Sequence, residues 1–418
     1  MSLSLAPGRA LSSEEIARFV EAALGDFGRA EERLLIVVPD DTRTLPMPTL
    51  FDALCRLLQP RVGSLTFLVA LGTHPPMTAE ELRMHFGPNW DDRPGVRVVQ
   101  HAWQDPSELV RVGTVAASCL EELSGGLMSE DVPVEINRLA VESDRILIVN
   151  PVFPHEVVGF SGGHKYFFPG IAGSGILDVS HWLGALITNP KVNGHKGTPV
   201  RALIERAAAF VDTPRLGLAL AMRGHDAVGL FVDEVPRAWS DAADLSAQVN
   251  IVWTDRAYDT VISAAPAMYR ELWTAGKCMY KLEPVVADGG RLVIYAPHID
   301  QISPTHGRWI EQVGYHTRDY FLADMERFAD VPLAVLAHST HVKGIGTFRD
   351  GVEYPRIDVV LATALPESVC RRINLGYQDS GSIDLDRLRA EDGVLVVPSA
   401  GEMLYRLADG SVPDIDSL

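Results

Sequence analysis

Short runs of aliphatic, mostly β-branched residues recur along this chain, and stretches with helical periodicity lie between them. This alternation is typical of α/β proteins, because parallel strands need a crossover connection that is usually a helix. We therefore predict an α/β fold with largely parallel sheets. The predicted strands are 34–38, 65–70, 96–99, 146–149, 216–221, 260–263, 291–295, 333–336, 359–362 and 394–397. The predicted helices are 50–58, 79–85, 134–142, 200–211, 269–281 and 317–327, after an amphipathic helix that follows a capping box at Ser12.

A chain of 418 residues is too long for one ordinary core, so two domains are expected. We place the boundary near residues 240–255. The prediction is an N-terminal α/β domain over 1–250, which carries the lysine and histidine motifs described below. A C-terminal α/β domain over 251–418 completes the substrate site, with an active-site cleft between the two lobes.

Composition and charge limit which partners we expect the protein to bind and in which cellular compartment we expect it. The net charge of −18 argues against a nucleic-acid surface, which needs clustered Lys and Arg. No apolar run is long enough to cross a membrane, and we find no secretory signal. The cysteines are far apart and suit a reducing compartment. We therefore expect a cytoplasmic protein with no nucleic-acid or membrane partner. The cysteines are Cys55, Cys119, Cys278 and Cys370.

Polar residues follow three of the predicted strands. The segment 40–43, Asp-Asp-Thr-Arg, follows the first strand, His74 follows the second and His155 follows the fourth. In open α/β sheets, ligands bind outside the carboxyl ends of the strands. A single such histidine is more often a loop residue bonded to the backbone. Because three strand ends carry such polar residues, together they predict a ligand-binding site at this edge of the sheet.

A glycine-rich segment ends in a lysine, in the sequence GFSGGHK, which ends at Lys165. Dense glycines let backbone N–H groups approach an anion, although a plain surface loop is about as good an explanation of the glycines alone. The segment is not a Walker A loop, and no dinucleotide fingerprint is present. His181 follows sixteen residues later. No zinc motif is present, and we interpret the His338–His341 segment as a loop.

These linked motifs resemble the nickel-dependent lactate racemase family. The resemblance rests on PDDTR, ALGTH, PVFPH, GFSGGHK, PGIAG and the spacing from His155 to Lys165 to His181. It covers residues 34–185 well and the lobe that begins near 255 more loosely.

The resemblance implies a cofactor, the nickel-pincer nucleotide, which is a pyridinium-3,5-bisthiocarboxylic acid mononucleotide that holds nickel. Lys165 corresponds to the lysine that carries it covalently, and His181 to the histidine that binds nickel. The remaining cofactor-binding positions are Asp40, Thr42, Gly162 and Gly163. Loading depends on cofactor maturation proteins in the host, so a recombinant sample can lack the group.

The resemblance also implies the reaction, which is racemisation or epimerisation of a small 2-hydroxy acid by reversible hydride transfer. His74 and His155 correspond to the acid/base pair, one histidine for each enantiomer. Arg43 and Lys277 correspond to the groups that hold the substrate carboxylate.

One departure from the family concerns the substrate. Lactate racemases carry a Tyr-Gln pair where this chain has Trp273 and Thr274, and a tryptophan that encloses the cofactor has no clear counterpart. We therefore expect a substrate other than lactate, larger or more polar, such as a sugar acid. Two alternatives stay open: a hydroxy-acid oxidoreductase that uses the same cofactor, and a non-catalytic anion-binding homologue without it. The sequence also leaves an oligomer open.

Overall fold

The computed structural model describes residues 1–4 and 9–415, which form two compact units. Unit 1 comprises 1–153, 160–180 and 201–249, and unit 2 comprises 154–159, 181–200 and 250–418. The units are therefore not two continuous segments divided near 250. Two short segments that the sequence analysis places in the N-terminal domain belong to unit 2, and they carry His155 and His181.

The strands within the first 250 residues are, in chain order, β1 (Ser2–Ser4), β2 (Arg33–Pro39), β3 (Ser64–Ala70), β4 (Val96–Gln100), β5 (Leu109–Val115), β6 (Val132–Asn137), β7 (Arg145–Val152), β8 (Pro154–His155), β9 (Gly159–Phe160), β10 (Arg215–Arg223) and β11 (Asp226–Asp233). The later strands are β12 (Ile251–Thr254), β13 (Tyr258–Ala264), β14 (Val286–Ala296), β15 (Gly346–Arg349), β16 (Val352–Pro355), β17 (Asp358–Thr363), β18 (Gly376–Tyr377), β19 (Val394–Val397) and β20 (Leu404–Leu407).

The α-helices that begin before residue 250 are α1 (Ser13–Ala23), α2 (Met47–Leu58), α3 (Ala79–Phe86), α4 (Ala117–Ser124), α5 (Leu139–Glu142), α6 (Ser174–Ile187), α7 (Asn189–Val192), α8 (Pro199–Ala208) and α9 (Val235–Asn250). The later ones are α10 (Leu272–Ala275), α11 (Lys277–Tyr280), α12 (Gly307–Val313), α13 (Arg318–Leu322), α14 (Leu333–Lys343), α15 (Glu367–Arg372) and α16 (Leu385–Leu388). Short 3₁₀ turns cover Gln59–Arg61, Pro106–Glu108, Gly163–Tyr166, Glu283–Val285, Met325–Phe328 and Ser380–Ser382.

Unit 1 is built on a seven-stranded sheet in the order β1-β11-β10-β7-β2-β3-β4. The strands from β10 to β4 run parallel, whereas β11 is antiparallel to β10 and β1. Strand β2 is buried because it lies inside the sheet and packs against helices, as its continuous aliphatic sequence predicts. The aromatic rings of Phe51 on α2, Phe67 on β3 and Phe86 on α3 meet edge-to-face in this core.

Unit 2 contains a five-stranded sheet in the order β18-β17-β14-β13-β19, and every pairing in it is parallel. Its core includes the buried aliphatic residues Ile262, Val293 and Val360. The predicted α/β fold with largely parallel sheets is confirmed.

Four predicted elements differ from the structure. The helix predicted over 269–281 is two short helices, α10 and α11, and the one predicted over 317–327 ends at Leu322 before a 3₁₀ turn. Residues 134–142 are not one helix, because strand β6 ends at Asn137 and the short helix α5 follows it. Residues 333–336 are not a strand, because Leu333 begins helix α14, which continues through the two histidines at 338 and 341. The capping box at Ser12 is confirmed, with Glu15 as its acidic partner. Across the described part of the chain, every helix falls short of the length and apolar character that a membrane span requires.

Candidate active site

Strands β2 and β3 bring an aspartate and a histidine together in unit 1. The two strands run parallel with Pro39 opposite Ala70, so the residues that follow them lie at the same sheet edge. His74 Nδ1 lies 2.5 Å from Asp40 Oδ2, and the Thr42 hydroxyl donates to Asp40 Oδ1 over 2.6 Å. The Asp40 side chain is only 5% exposed, whereas that of His74 is 41% exposed. This pair confirms that these two strand ends converge.

Asp40 is ionised despite its burial. Burial alone would raise the pKa of this carboxyl, but His74, Arg43 and the Thr42 hydrogen bond outweigh it and hold the pKa well below its usual range. The carboxylate therefore accepts the Nδ1 proton of His74. In the neutral ring, Nε2 is then left with a lone pair, which is the arrangement a general base needs.

The glycine-rich loop lies close to this pair within unit 1. Tyr166, the residue after Lys165, interacts electrostatically with Arg43 and Asp40, although burial is the main reason that its phenol pKa is raised. The Gly72 N–H also donates to the Gly170 carbonyl over 2.9 Å, which joins the loop before His74 to the segment after the lysine.

The glycines before Lys165 are needed for backbone shape and space. Gly162 and Gly163 have φ values of 85° and 62°, in the left-handed region that favours glycine. A Cβ atom at Gly162 would lie 2.4 Å from Asn150 Oδ1, and one at Gly163 would lie 3.0 Å from Trp239. The Gly163 N–H donates to Asn150 Oδ1 over 3.1 Å. That both glycines also approach a cofactor phosphate stays a prediction.

Helix α8 and its neighbours hold this loop through charged side chains. Arg201 is buried, donates to the Gly162 and Phe160 carbonyls over 3.1 and 2.6 Å, and lies 4.1 Å from the centre of the Trp239 ring. The Trp239 indole N–H donates to the Ser161 carbonyl. The lysine is therefore presented by an anchored segment.

His164, next to the lysine, has a defined tautomer. Arg215 Nε donates to His164 Nε2 over 2.9 Å, so Nδ1 carries the proton and donates to Glu205 Oε2 over 2.6 Å. Burial lowers the pKa of His164, which agrees with a neutral ring. Three charged residues of this site were not predicted from the sequence: Arg201, Glu205 and Arg215. The sequence signal for the first two was an Arg and a Glu four residues apart on a predicted helix.

Unit 2 holds the second histidine of the predicted acid/base pair. His155 is 7% exposed, and its Nδ1 accepts the Val157 N–H over 3.1 Å. The neutral ring therefore carries its proton on Nε2. Its neighbour Glu156 is ionised: burial would raise the pKa of Glu156, but Lys281, His341 and Lys277 hold it below its usual value.

Helix α14 adds two histidines that were interpreted as part of a loop. His338 and His341 lie on a buried helix at i and i+3 and so share a face. Burial, with the neighbouring His181, lowers the pKa of both rings, and that of His341 falls to about 4. Both rings are therefore neutral near pH 7. The loop interpretation was wrong because burial, not composition, makes this polar segment helical.

Lys277 and Trp273 lie beside the same helix. Lys277 begins α11, with Nζ 5.0 Å above the ring of Tyr269. The Trp273 ring lies between His306 and His338, with ring centres 4.2 and 3.7 Å apart. Within unit 2, His181 interacts electrostatically with His338 and His341. Glu156, whose Oε2 lies 3.4 Å from His155 Nδ1, interacts with His341 and Lys277.

His181 is the one protein donor that the sequence predicts for a metal. Within residues 1–4 and 9–415, no group of three His, Cys, Asp or Glu side chains could hold a metal ion. A metal at His181 would need further ligands from a bound organic group. A single imidazole with sulfur donors is a set that nickel accepts.

Comparison with known proteins identifies relatives. Residues 12–193 match the family model of the lactate racemase N-terminal domain. The chain is similar to the lactate racemase of Thermoanaerobacterium thermosaccharolyticum, with 25% identity over 69% of this chain and 67% of that protein. It is also similar to the lactate racemase of Lactiplantibacillus plantarum, with 31% identity over 40% of this chain and only 36% of that protein.

Two solved structures share the fold. A protein from Thermotoga maritima has a TM-score of 0.88 and 33% identity, covering 97% of this chain and all of that one. The lactate racemase apoprotein from T. thermosaccharolyticum has a TM-score of 0.73 and 20% identity, covering 95% of this chain and 93% of that one. The match to the N-terminal domain model and the two lactate racemases support a relationship to the lactate racemase family, and the two solved structures show the shared fold.

Proposed function

We propose that this protein is a racemase or epimerase that inverts C2 of a small 2-hydroxy acid other than lactate. The observation that carries the proposal is the Asp40–His74 pair, a buried carboxylate that orients a half-exposed imidazole for proton transfer. A non-catalytic binding protein would have no need for this arrangement. The family relatives agree with a racemase.

In this proposal Lys165 carries the nickel-pincer nucleotide covalently and His181 supplies the protein ligand to nickel. When bound, this group would supply a hydride acceptor for C2, so that the substrate could pass through a planar 2-oxo acid open to hydride on either face. The protein must then move the hydroxyl proton, hold the carboxylate and keep the lysine in place. The anchored segment around Lys165 suits the last of these tasks.

In their neutral forms, the two histidines carry the ring proton on different nitrogens. Neutral His74 has its lone pair at Nε2 because Nδ1 faces Asp40, whereas neutral His155 carries its proton at Nε2 because Nδ1 accepts a backbone N–H. Neutral His74 is therefore prepared to take a hydroxyl proton. A neutral imidazole does not release its remaining proton near pH 7, so His155 gives a proton only as the imidazolium, which can pair with Glu156 Oε2, 3.4 Å from His155 Nδ1. After one turnover the protonation states are exchanged, which suits the reverse direction.

Arg43 and Lys277 are proposed to bind the substrate carboxylate. A guanidinium can hold a carboxylate with two parallel hydrogen bonds, and an ammonium adds a second positive charge. The carboxylate would stay fixed while the geometry at C2 changes.

The test uses protein made in a host that synthesises the cofactor. D- and L-enantiomers of a panel of 2-hydroxy acids are incubated with it, and the products are separated by chiral chromatography. Inversion of at least one acid is expected, together with an intact-mass increase that Lys165→Arg abolishes. Lys191→Arg, at a lysine paired with Asp414, is the matched control and should keep the adduct.

The outcomes separate the alternatives. Stoichiometric accumulation of a 2-oxo acid without inversion would replace the racemase by an oxidoreductase that uses the same cofactor. No adduct in the producing host and no turnover would favour an anion-binding homologue.

A further inference from the structure

Two buried histidines on α14 have ring nitrogens that the rest of the structure does not satisfy. His338 is 8% exposed and His341 is 4% exposed. Among the described residues, no atom is hydrogen-bonded to His338 Nε2 or to either nitrogen of His341. Three unpaired polar atoms on one helix face are unusual, because a buried polar group without a partner is strongly disfavoured.

His338 lies next to the start of α11, where Lys277 is proposed to bind the substrate carboxylate. Its ring stacks on Trp273, one helical turn before Lys277. A Cβ atom at Gly276 would lie only 2.9 Å from His338 Cε1, so the absence of a side chain there lets the ring come close to the start of α11.

His341 interacts with a second set of residues in unit 2. It interacts electrostatically with Glu156, which follows His155, and with His181. Its ring and that of Tyr280 meet in an edge-to-face arrangement, with ring centres 6.1 Å apart. The pair at 338 and 341 therefore lies beside the start of α11 and interacts electrostatically with Glu156, the residue after His155, and with His181.

We propose that His338 and His341 form a subsite that hydrogen-bonds hydroxyl groups of the substrate beyond C2, so that the substrate is a polyhydroxy acid. This inference rests on the proposed function, and it names the substrate class of that site. A protein-only metal centre is the competing use of such a pair, but within the described ranges no group of three side chains could hold a metal ion.

The chemistry of a neutral imidazole favours a hydroxyl. Such a ring has one donor and one acceptor, and a hydroxyl group offers both in return. A carboxylate only accepts hydrogen bonds. A carboxylate bound at this buried position would therefore favour the protonated form of the rings. An apolar side chain such as the methyl of lactate would leave the nitrogens unpaired. Sites built to bond a hydroxyl reject analogues that lack it by up to roughly 10⁴-fold or more.

Three four-carbon acids test the subsite with chain length held constant. They are 2,3,4-trihydroxybutanoate, 2-hydroxybutanoate and 2-hydroxybutanedioate, which present hydroxyls, a methyl group and a carboxylate beyond C2. The loaded wild-type protein is expected to invert the trihydroxy acid with kcat/KM about 100-fold above that of 2-hydroxybutanoate. Calorimetric titration of the same protein measures binding of each acid independently of turnover.

The variants His338→Phe and His341→Phe keep an aromatic ring and remove its nitrogens. In each, the preference for the trihydroxy acid over 2-hydroxybutanoate should fall to about 10-fold or less, in binding and in turnover. His306→Phe is the matched control, because His306 stacks on the opposite face of Trp273 and is not one of the pair. It should keep the wild-type preference.

The results separate this inference from the proposed function. If the wild-type protein inverts 2-hydroxybutanoate or the dicarboxylate as well as the trihydroxy acid, or if neither variant changes the preference, the subsite is wrong while the racemase stands. If the trihydroxy acid binds selectively and the variants abolish that selectivity, but nothing is inverted, the subsite stands and the racemase is wrong. Absence of selective binding together with absence of inversion overturns both.

Discussion

The orientation of one imidazole is the most specific feature at the scale of single residues. His74 is half-exposed on a loop, and only its hydrogen bond to the buried Asp40 fixes which nitrogen carries the proton. In Asp40→Asn the amide can donate to Nδ1, which would place the proton on Nε2 and remove the base. Because general base catalysis contributes about 10²- to 10⁴-fold, we expect kcat for inversion to fall at least about 100-fold.

The control for this prediction is the adjacent, exposed Asp41→Asn, which should stay within a few-fold of wild type. Chiral chromatography of timed samples measures both variants. Thermal unfolding of the Asp40 variant shows whether the protein is still folded. Near wild-type inversion by folded Asp40→Asn would contradict the assigned role.

The residues of unit 1 were the more predictable ones. Asp40 and His74 come directly after strands whose parallel pairing the sequence suggests, so their convergence follows from the topology of the sheet. His338 and His341 were not predictable in the same way. Their helix is polar at its centre, and its burial depends on Gly276 and on packing against distant residues.

At the scale of elements, helix α8 supports the loop that carries the proposed cofactor lysine. Arg201 reaches two loop carbonyls with the two ends of its guanidinium. A lysine there has one point charge and cannot reproduce this fork. Arg201→Lys should destabilise the protein by about 2 kcal/mol, because hydrogen bonds to charged groups contribute about that much. It should also reduce the fraction of chains that carry the Lys165 adduct.

Arg206→Lys on the same helix is the matched control, since its side chain is 42% exposed and pairs with Glu122. Intact-mass analysis gives the loaded fraction, and thermal unfolding gives the stability. A fully loaded Arg201→Lys protein would show that the loop holds its shape without the fork.

In unit 2, Glu353 on β16 connects its strand with the segment before α13 and the segment after α15. It accepts hydrogen bonds from the Thr317 N–H before α13 and from the Asn374 amide, and it contacts His316. Burial would raise the pKa of Glu353, but the hydrogen bonds from His316 and the Thr317 N–H, with the charges of His316 and Lys343, lower it to about 2. The unfolded chain takes up the proton near 4.5, so this stabilisation is complete above that pH and is lost as the pH falls towards 2.

Glu353→Gln should therefore lower the free energy of unfolding at pH 7 by about 2 kcal/mol, and the gap to wild type should mostly close by pH 3. Urea unfolding at both pH values measures the gap. The exposed Glu367→Gln, paired with Arg371, is the control and should show little difference at either pH. A gap that is unchanged at pH 3 would mean that Glu353 does not stabilise the protein through its charge.

Element prediction failed where short apolar runs were ambiguous. Residues 333–336 are aliphatic enough for a strand, but Pro332 precedes a helix that continues to Lys343. Residues 134–142 join the end of β6 to α5, and the valine and isoleucine of the first half pair with β5 instead. Local periodicity cannot decide between a buried strand and a buried helix of this length.

At the scale of the whole molecule, the sequence predicted two units but not their composition. The segments 154–159 and 181–200 belong to unit 2 although unit 1 surrounds them in the sequence. No change in composition marks these crossings, because each is defined by long-range packing. As a result, His155 and His181 belong to a different unit from Lys165, a division that motif spacing alone could not show.

The equilibrium constant of the reaction fixes the ratio of the forward and reverse kcat/KM values, and no variant of the enzyme can change that ratio. In a racemase both directions pass through the same transition states, so the ratio of forward to reverse kcat/KM equals the equilibrium constant. His74→Gln and His155→Gln, whose native rings are set in opposite tautomers, should therefore each lower kcat/KM for both directions by one common factor of about 100 or more. Initial rates from each pure enantiomer or epimer, followed by chiral chromatography, measure the two directions. A variant that loses one direction while keeping the other could not be a simple racemase, and it would point to a net oxidation or reduction that consumes an external acceptor or donor.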